Sequence, residues 1–309
     1  MSMTCKACQF SGPHFIHVFR EMMFGTRDEF EYFECNQCGS IQRLSQVADE
    51  GKFYPPNYYS FSEDRLSFKS KILATRDAHV LLGKSIVGSL LNRLRPLRGM
   101  EILLRLNLTA QSKILDVGCG SGSLLRRLAR AGFENLTGID PFVDVGIDSN
   151  GVNIIKSDIQ DISGEFDLIM FNHSFEHVME PAETLAAAHR LLSRNGRCLI
   201  RMPTCSSFAW AHYGKDWVQL DAPRHIVVFS REGFSTLATR VGFRLEETID
   251  DSWELQFWGS EMYCRDIALK SKPIEEIFSP KQMHEFRERA IELNSKGLGD
   301  QTAFIISPT

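Results

Sequence analysis

From about residue 106 onward, the apolar positions follow two patterns that alternate along the chain. Short apolar runs of strand length are followed by stretches whose apolar residues have the 3.6-residue spacing of helices. The runs that predict strands are KILDVG, NLTGID, NIIKSD, FDLIMF, RCLIRMP, FRLEETID and TAFIISP. Strands and helices in regular alternation predict an α/β fold, with a mostly parallel sheet covered by helices on both faces.

Turn and capping residues bound the predicted helices. The segment SLLRRLARAG is predicted to end at Gly132, since glycine is the commonest residue just past a helix. Asn195-Gly196 is interpreted as a turn that leads from the helix PAETLAAAHRLLS into the fifth strand. Ser230 is predicted to cap the helix that begins at REGF, because a serine oxygen can accept the first orphan amides.

The first hundred residues lack this alternation. They contain cysteine pairs, an aromatic stretch FYPPNYYSF, and apolar positions from Ile72 to Leu94 with helical spacing, ended by Pro96. We therefore expect three segments: a head at 1–50, an aromatic segment and helical linker or lid at 51–105, and the strand–helix core at 106–309.

Composition narrows the class of protein. The net charge of -4 and the pI of about 6.2 give no support to nucleic-acid binding through bulk positive charge. No apolar run approaches the roughly 18 residues of a membrane span. The N-terminus MSMTCKACQF lacks a basic segment followed by an apolar one, which predicts a cytoplasmic protein without membrane contact.

Four of the eight cysteines form two C-x2-C pairs separated by 26 residues. In a reducing compartment this spacing favours metal over disulfides, and four thiolates close the shell of a structural zinc. The predicted ligands are Cys5, Cys8, Cys35 and Cys38. Unrelated cysteines remain an alternative, and His14 or His17 could replace one ligand. A redox pair is disfavoured because neither pair begins a helix after a strand.

The stretch ILDVGCGSGSLL places a glycine-rich loop between a strand and a helix. A phosphate-binding Walker loop needs a lysine after its last glycine, but Ser123 and Leu124 follow Gly122 here. A dinucleotide-binding loop needs a glycine at the position of Ser123. Neither pattern fits this loop. S-adenosylmethionine carries an ammonium and a sulfonium but no phosphate, which suits the acidic Asp116 just before the loop. Glycines let the backbone approach the ligand closely. The predicted loop residues are Gly118, Gly120 and Gly122.

Two further carboxylates follow the next two strands. Asp140 ends the second strand, where it could accept both ribose hydroxyls, and Asp158 follows the third, within reach of an adenine amino group. Ile159 and Asn172 complete the predicted donor contacts. Ordinary turn residues are the alternative interpretation. The ordered set at successive strand ends favours a binding site, because ligands of open α/β sheets bind there.

With these motifs the chain resembles the class I S-adenosylmethionine-dependent methyltransferases. The resemblance covers about Leu106 to Asp250 and includes LDVGCGSG, GID, SDI, FDLIMFNHSFEHV and LLSRNGRCLIRMP, in order. It implies a Rossmann-like sheet of seven strands with the last one antiparallel, and S-adenosylmethionine as cofactor. The chain departs from the family at about 252–301, where a helical insertion precedes the last strand.

The zinc-ribbon-like head and the aromatic segment resemble those of bacterial methyltransferases of sugar and natural-product pathways. This resemblance implies a small hydroxylated acceptor, with a saccharide or nucleotide-sugar as the first candidate. In relatives that methylate deoxysugars the head and aromatic segment cover the active site, which makes Tyr58 and Tyr59 candidates for acceptor contacts. Alternatively, these rings pack the head onto the core.

Acceptor chemistry is expected after the fourth and fifth strands. His177 beside Glu176 can serve as the general base for a hydroxyl, although a structural role is the alternative. The residues His173, Glu176 and His177 also resemble in position the metal ligands of ubiquinone-pathway O-methyltransferases, with His173 in place of a carboxylate.

The loop DWVQLDAPRHIVVFS supplies a second group of candidates. His225 could face the acceptor as an alternative base, and Arg224 could pair with a phosphate or carboxylate on it. Trp217 is predicted to contact the acceptor as well. A loop that merely caps the pocket is the alternative.

Three functions therefore compete. The leading one is a methyltransferase acting on a small-molecule acceptor. The second is an RNA methyltransferase whose zinc head grips RNA, which the acidic balance argues against. The third is a non-catalytic S-adenosylmethionine-binding protein. A homo-oligomer is left open by the sequence.

Overall fold

Described residues and elements

The computed structural model describes residues 3–45, 47, 50–53, 68–83, 86–95, 97, 99–143 and 151–309. The strands within these ranges are β1 (Phe15–Arg20), β2 (Glu29–Glu34), β3 (Ile41–Arg43), β4 (Lys113–Val117), β5 (Asn135–Ile139), β6 (Asn153–Ile155), β7 (Phe166–Asn172), β8 (Leu192–Pro203), β9 (Val227–Val228), β10 (Phe243–Asp250) and β11 (Gln301–Pro308). The α-helices are α1 (Phe68–Leu82), α2 (Ile86–Leu94), α3 (Ser123–Ala131), α4 (Pro181–Leu191), α5 (Phe208–Tyr213), α6 (Arg231–Arg240), α7 (Leu255–Cys264) and α8 (Pro280–Ser295).

The seven-stranded sheet

A seven-stranded sheet has the order β10-β11-β8-β7-β4-β5-β6. Strand β11 runs antiparallel to both β10 and β8, while β8, β7, β4, β5 and β6 pair in parallel. The expected α/β sheet with an antiparallel last strand is confirmed. The strand order reverses between β4 and β7, and such switch points open a crevice at the carboxyl ends of the strands.

Successive residues of the central strands point to opposite faces of this sheet. Leu115 and Ile169 belong to the apolar layer shared with α4 and α6, whereas Ile114 and Leu168 belong to the layer shared with α3. Helices therefore cover both faces, as the continuous apolar runs predict for a parallel sheet.

Predicted helix ends

The predicted ends of two helices are confirmed. Gly132 adopts φ of 101° after α3, and its amide donates to the carbonyl of Ala129. The hydroxyl of Ser230 accepts a hydrogen bond from the amide of Gly233 at the start of α6. Both are local signals, since each depends on residues within one helical turn.

Two other predictions are wrong. The single helix expected from Ile72 to Leu94 is broken at Gly83, whose φ of 68° ends α1. Asn195-Gly196 is not a turn before the strand, because β8 already begins at Leu192 and continues through it. The pairing with β7 shifts register there, and Gly196 lets the bulged backbone approach the Phe166 carbonyl, 2.8 Å from a built Cβ.

The head sheet and the insertion

A second sheet has the order β1-β2-β3-β9. Its fourth strand comes from the segment after β8, and Ile41 of β3 pairs with Val228. The hydroxyl of Tyr32 in β2 donates to the carbonyl of His225 at 2.8 Å. The head is thus joined to the core by backbone pairing, although domain boundaries at residues 50 and 105 stay a prediction.

The region expected as an insertion, 252–301, contains α7 and α8. Ser279 and Gln282 form a capping box at the start of α8. The amides of Leu269 and Lys270 donate to the carbonyls of Met22 and Met23, so this region also contacts the head. No helix in the described ranges is long and apolar enough to cross a membrane.

A buried arginine joins the head to the loop before β9. The guanidinium of Arg224 is fully buried and donates to Asp221 at 2.5 and 2.9 Å and to Glu21 at 3.0 Å. It also donates to the carbonyl of Phe53 at 3.3 Å. Each carboxylate in this set is compensated by Arg224, so its removal would leave buried negative charge.

We expect Arg224→Met to lower the free energy of unfolding by about 3–5 kcal/mol, because it strands Asp221 and Glu21 without their cation. Urea unfolding followed by tryptophan fluorescence measures the change. The control is Arg244→Met, at a largely exposed surface pair with Glu246, which should cost less than about 1 kcal/mol. Equal losses in the two variants would contradict this role of the buried charge.

Candidate functional site

A cavity at the strand ends

A cavity of about 530 Å³ opens at the carboxyl ends of β4, β5, β6 and β7. Its size is within the range of pockets that hold small molecules and cofactors. Six of the residues predicted from the sequence line it: Gly118, Asp140, Asp158, Ile159, His173 and His177. Residues from the start of α4 and the segment before it form another wall, and no motif in the sequence had indicated them: Met179, Glu180, Glu183 and Thr184.

The glycine loop is shaped by contacts that exclude side chains. Gly118 has φ of 73°, and a Cβ there would lie 2.5 Å from the Cβ of Ser174. Gly122 caps α3 at φ of 76°, and a Cβ would lie 2.3 Å from the Cδ1 of Ile154. Only glycine fits both positions without displacement of a neighbour.

The carboxylate of Asp140 holds the loop against the end of β5. One oxygen accepts the amide of Gly120 at 3.0 Å and the other accepts the amide of Phe142 at 2.8 Å. A carboxylate oxygen can accept more than one hydrogen bond, so Asp140 retains acceptor capacity toward the cavity. Asp158 also lines this cavity and is exposed, beside the buried Ile159.

Asp116 and Asn172 lie together at the ends of the neighbouring strands β4 and β7. The amide of Asn172 is 3.4 Å from the Asp116 carboxylate. Burial raises the pKa of Asp116 to about 7, and the negative charge of Asp140 acts in the same direction. A cation arriving next to Asp116 would favour its ionised form.

A buried carboxylate with two histidines

The turn Phe175–His177 after β7 carries Glu176, which is fully buried. Among the described residues, neither of its carboxylate oxygens has a hydrogen-bond partner. Its Oε1 lies 3.7 Å from His173 Nδ1 and 3.8 Å from His225 Nε2. Although burial opposes ionisation, the imidazoles of His173, His177 and His225 hold the pKa of Glu176 at about 2.

The two histidine rings are oriented by backbone carbonyls. His177 Nδ1 is 2.9 Å from the carbonyl of Arg224, and His225 Nδ1 is 2.8 Å from the carbonyl of Gln219. A carbonyl only accepts, so we assign the Nδ1 proton to each ring, which leaves Nε2 as its basic nitrogen. The rings lie 4.8 Å apart at 69°, and burial lowers the pKa of His225 to about 4.

Such an arrangement can accept a proton or hold a cation. Ligand atoms of Glu176, His177 and His225 all lie within 4.8 Å of one another. Sequence reasoning had named all three residues but had not brought His225 to Glu176, since 48 residues of chain separate them. Asp221, which it had not singled out for chemistry, has its Oδ2 3.8 Å from His225 Nε2.

The cysteine cluster

The four predicted cysteines converge in the head. Cys5 Sγ is 3.7 Å from Cys38 Sγ, and Cys8 Sγ is 3.6 Å from Cys35 Sγ. A tetrahedron of sulfurs around zinc, with Zn–S bonds of about 2.3 Å, has edges of about 3.8 Å. The cluster could therefore hold zinc, and four sulfurs would leave no position for a reacting ligand.

The surroundings of the cluster also suit thiolates. A hydrogen bond between the thiols lowers the pKa of Cys38 to about 5 and raises that of Cys5. The side-chain amide of Gln42 donates to Cys5 Sγ at 2.9 Å, and the Ser40 hydroxyl is 3.4 Å from Cys38 Sγ. These polar neighbours stabilise negative charge on sulfur, as hydrogen-bonding groups around metal ligands commonly do.

Candidates away from the cavity

The remaining candidates are not among the residues that line the cavity. Trp217 is fully buried and donates from Nε1 to Asp300 at 2.9 Å. Arg224 is engaged with Asp221 and Glu21. Tyr58 and Tyr59 lie outside the described residues.

Comparison with known proteins

Residues 89–248, just over half of the chain, match the family model described as a methyltransferase domain. The ubiquinone biosynthesis O-methyltransferase of Erwinia tasmaniensis is 29% identical over 148 residues, covering 43% of this chain and 60% of that protein. The protein of the same name from Pseudomonas aeruginosa is 31% identical over 150 residues, covering 43% and 63%. The chain thus spans about three fifths of the length of the curated relatives it matches.

Solved structures match the chain at low identity. The cyclopropane synthase MmaA2 from Mycobacterium tuberculosis superimposes with a TM-score of 0.42 and 17% identity, covering 79% of this chain and 99% of that one. The identification therefore depends on the family match, together with the sheet order and the glycine loop described above. On these grounds the chain belongs to the class I S-adenosylmethionine-dependent methyltransferases.

Proposed function

We propose that the protein transfers the methyl group of S-adenosylmethionine to a hydroxyl of a small acceptor. The observation that carries the proposal is the buried Glu176–His177–His225 cluster, which reaches the donor cavity through His177. A methyl transfer to a hydroxyl needs a group that accepts the hydroxyl proton, and imidazole is suited to do so near neutral pH.

The donor is proposed to bind in the cavity at the strand ends. Its ribose hydroxyls would meet Asp140, and its adenine would lie near Asp158 and Ile159. Its ammonium would approach Asp116 and Asn172. The glycines of the neighbouring loop would let the protein backbone come close to the ligand. The glycines proposed to contact it are Gly118, Gly120 and Gly122. The donor supplies an electrophilic methyl group on a positively charged sulfur.

The side chain proposed as the base is His177. It lines the cavity, and the Arg224 carbonyl fixes its tautomer so that Nε2 is the basic nitrogen. The ionised Glu176 beside it would stabilise the imidazolium that forms when the acceptor hydroxyl gives up its proton. His225, deeper and with a lowered pKa, is the alternative base.

Two acceptor classes share this chemistry. The resemblance to sugar and natural-product methyltransferases supports a saccharide or nucleotide-sugar. The names of the ubiquinone biosynthesis relatives support a phenolic hydroxyl. Both carry the hydroxyl that the proposed base requires, and we retain the saccharide as the first candidate.

A second use of the same residues is favoured by one observation. The carboxylate of Glu176 is fully buried, and its two oxygens have no hydrogen-bond partner in the part of the chain that the structure describes. Such a group is costly unless a cation compensates it. Glu176 with the Nε2 atoms of His177 and His225 could ligate a divalent cation, with backbone carbonyls holding the opposite ring nitrogens. Such a cation would lower the pKa of a bound acceptor hydroxyl.

We expect transfer of labelled methyl groups to members of a panel of nucleotide-sugars and catechols, at the oxygen of one class.

His177→Ala should lower kcat by roughly 10²–10⁴-fold, which is the usual span for a lost general base, while donor affinity changes little. His225→Ala should mainly raise the acceptor KM. The reverse pattern in the two variants would move the base to His225, and transfer to nitrogen or carbon would overturn the hydroxyl proposal.

The raised pKa of Asp116 predicts a pH dependence of donor binding. If the donor ammonium pairs with the Asp116 carboxylate, binding must release the proton that the free protein holds below pH about 7. The dissociation constant of S-adenosylhomocysteine should then rise about tenfold per pH unit below 7, measured by calorimetry. Asp116→Asn should bind weakly with no such slope. A flat profile in the unaltered protein would separate Asp116 from the ammonium.

Measuring the metal content of the purified protein distinguishes a general base at His177 from a divalent cation bound by Glu176, His177 and His225. We expect one zinc per chain, lost in Cys35→Ser, because the four cysteines of the head form a closed thiolate shell. A second bound metal that disappears in Glu176→Gln, with activity that follows its occupancy, would support the cation at the histidines instead. Purified protein free of metal would contradict the zinc assignment in the head.

A further inference from the structure

A lysine in the first cysteine pair reaches the wall of the donor cavity. Lys6 lies between the predicted ligands Cys5 and Cys8. Its Nζ donates to the carbonyl of Met179 at 2.5 Å and to Glu180 Oε1 at 2.7 Å. Met179 and Glu180 both line the cavity. One side chain therefore connects the cysteine cluster to the proposed donor site.

The backbone of Lys6 is fixed from the cluster side. Its amide donates to Gln42 Oε1 at 2.9 Å, while Nε2 of the same Gln42 donates to Cys5 Sγ at 2.9 Å. The guanidinium of Arg240 in α6 donates to the carbonyls of Ala7 and Lys6 at 2.9 and 3.3 Å. The position of Lys6 thus depends on the fold of the first cysteine pair, which a metal would hold closed.

The segment that Lys6 contacts lies between the proposed catalytic turn and the helix α4. Residues 178–180 connect the turn Phe175–His177, which carries the cluster proposed as the base, to the first turn of α4. Its Met179 and Glu180 are exposed, and Glu183 and Thr184 of α4 continue the same cavity wall. Restraint of this segment would therefore favour the arrangement of the cavity wall that the structure shows.

We propose that Lys6 is a positioning residue that links the two sites, so that metal at the four cysteines and donor in the cavity each strengthen the binding of the other. This inference rests on the proposed function, since it takes the cavity as the donor site. Linkage between two ligands is reciprocal, and the same factor must appear in both affinities. Because the Lys6–Glu180 pair is partly exposed, we expect a factor of about five, at the low end of such couplings.

The test uses the purified zinc-loaded protein and S-adenosylhomocysteine. Zinc is titrated away by a chromophoric chelator at equilibrium, with and without saturating S-adenosylhomocysteine. We expect about fivefold tighter apparent zinc binding in its presence. In Lys6→Met this difference should vanish, and S-adenosylhomocysteine should bind about fivefold more weakly to the zinc-loaded variant, which still carries one zinc per chain.

Two further variants serve as a control and as a second test of the ion pair. Lys52→Met removes another head lysine, one that pairs with Asp28, and should leave the linkage intact. Glu180→Gln removes the ion pair but keeps the Met179 carbonyl, so it should reduce the linkage partly, and it serves if Lys6→Met fails to fold. Failure of the unaltered protein to bind S-adenosylhomocysteine would overturn the proposed function. Binding without linkage, or linkage that survives in both Lys6→Met and Glu180→Gln, would overturn the inference alone.

Discussion

The pairing of β3 with β9 is the interaction on which the candidate site depends. Through it, Ile41 and Gln42 of the head lie beside Val228 and Val227 of the core. The neighbouring amide of Ile226 donates to the carbonyl of Glu176 at 2.8 Å, so the same short strand is attached to both the head and the proposed catalytic turn. His225 reaches Glu176 only because this strand is held on both sides.

Buried charge constrains the same region. Arg224 compensates Asp221 and Glu21 inside the protein, and its carbonyl orients the ring of His177. Burying an arginine with two carboxylates is favourable only when the geometry is well satisfied, so the loop before β9 has little freedom. Glu176 lies beside this network, and neither of its carboxylate oxygens has a hydrogen-bond partner among the described residues.

The head also holds the loop that carries His225. Tyr32 donates to the carbonyl of His225, and Arg43 donates to the carbonyl of Pro223 at 2.6 Å. A cysteine cluster that folds the head therefore also supports the loop that carries the second histidine. The head and the loop that carries His225 are thereby joined by hydrogen bonds to the backbone, although they lie far apart in the sequence.

Local rules were sufficient for much of the fold. The sequence by itself determined the strands of the large sheet, the ends of α3 and α6, the glycine loop with Asp140, and the four-cysteine cluster, because each depends on residue type at short spacing. It misplaced the break at Gly83 and the start of β8, where a positive φ and a bulge replaced regular geometry. Tertiary structure alone decided that Arg224 is buried against Glu21 and that His225 joins Glu176 and His177. Those contacts depend on a strand pairing between residues almost 190 positions apart, and no periodicity within one segment carries information about its partner in another.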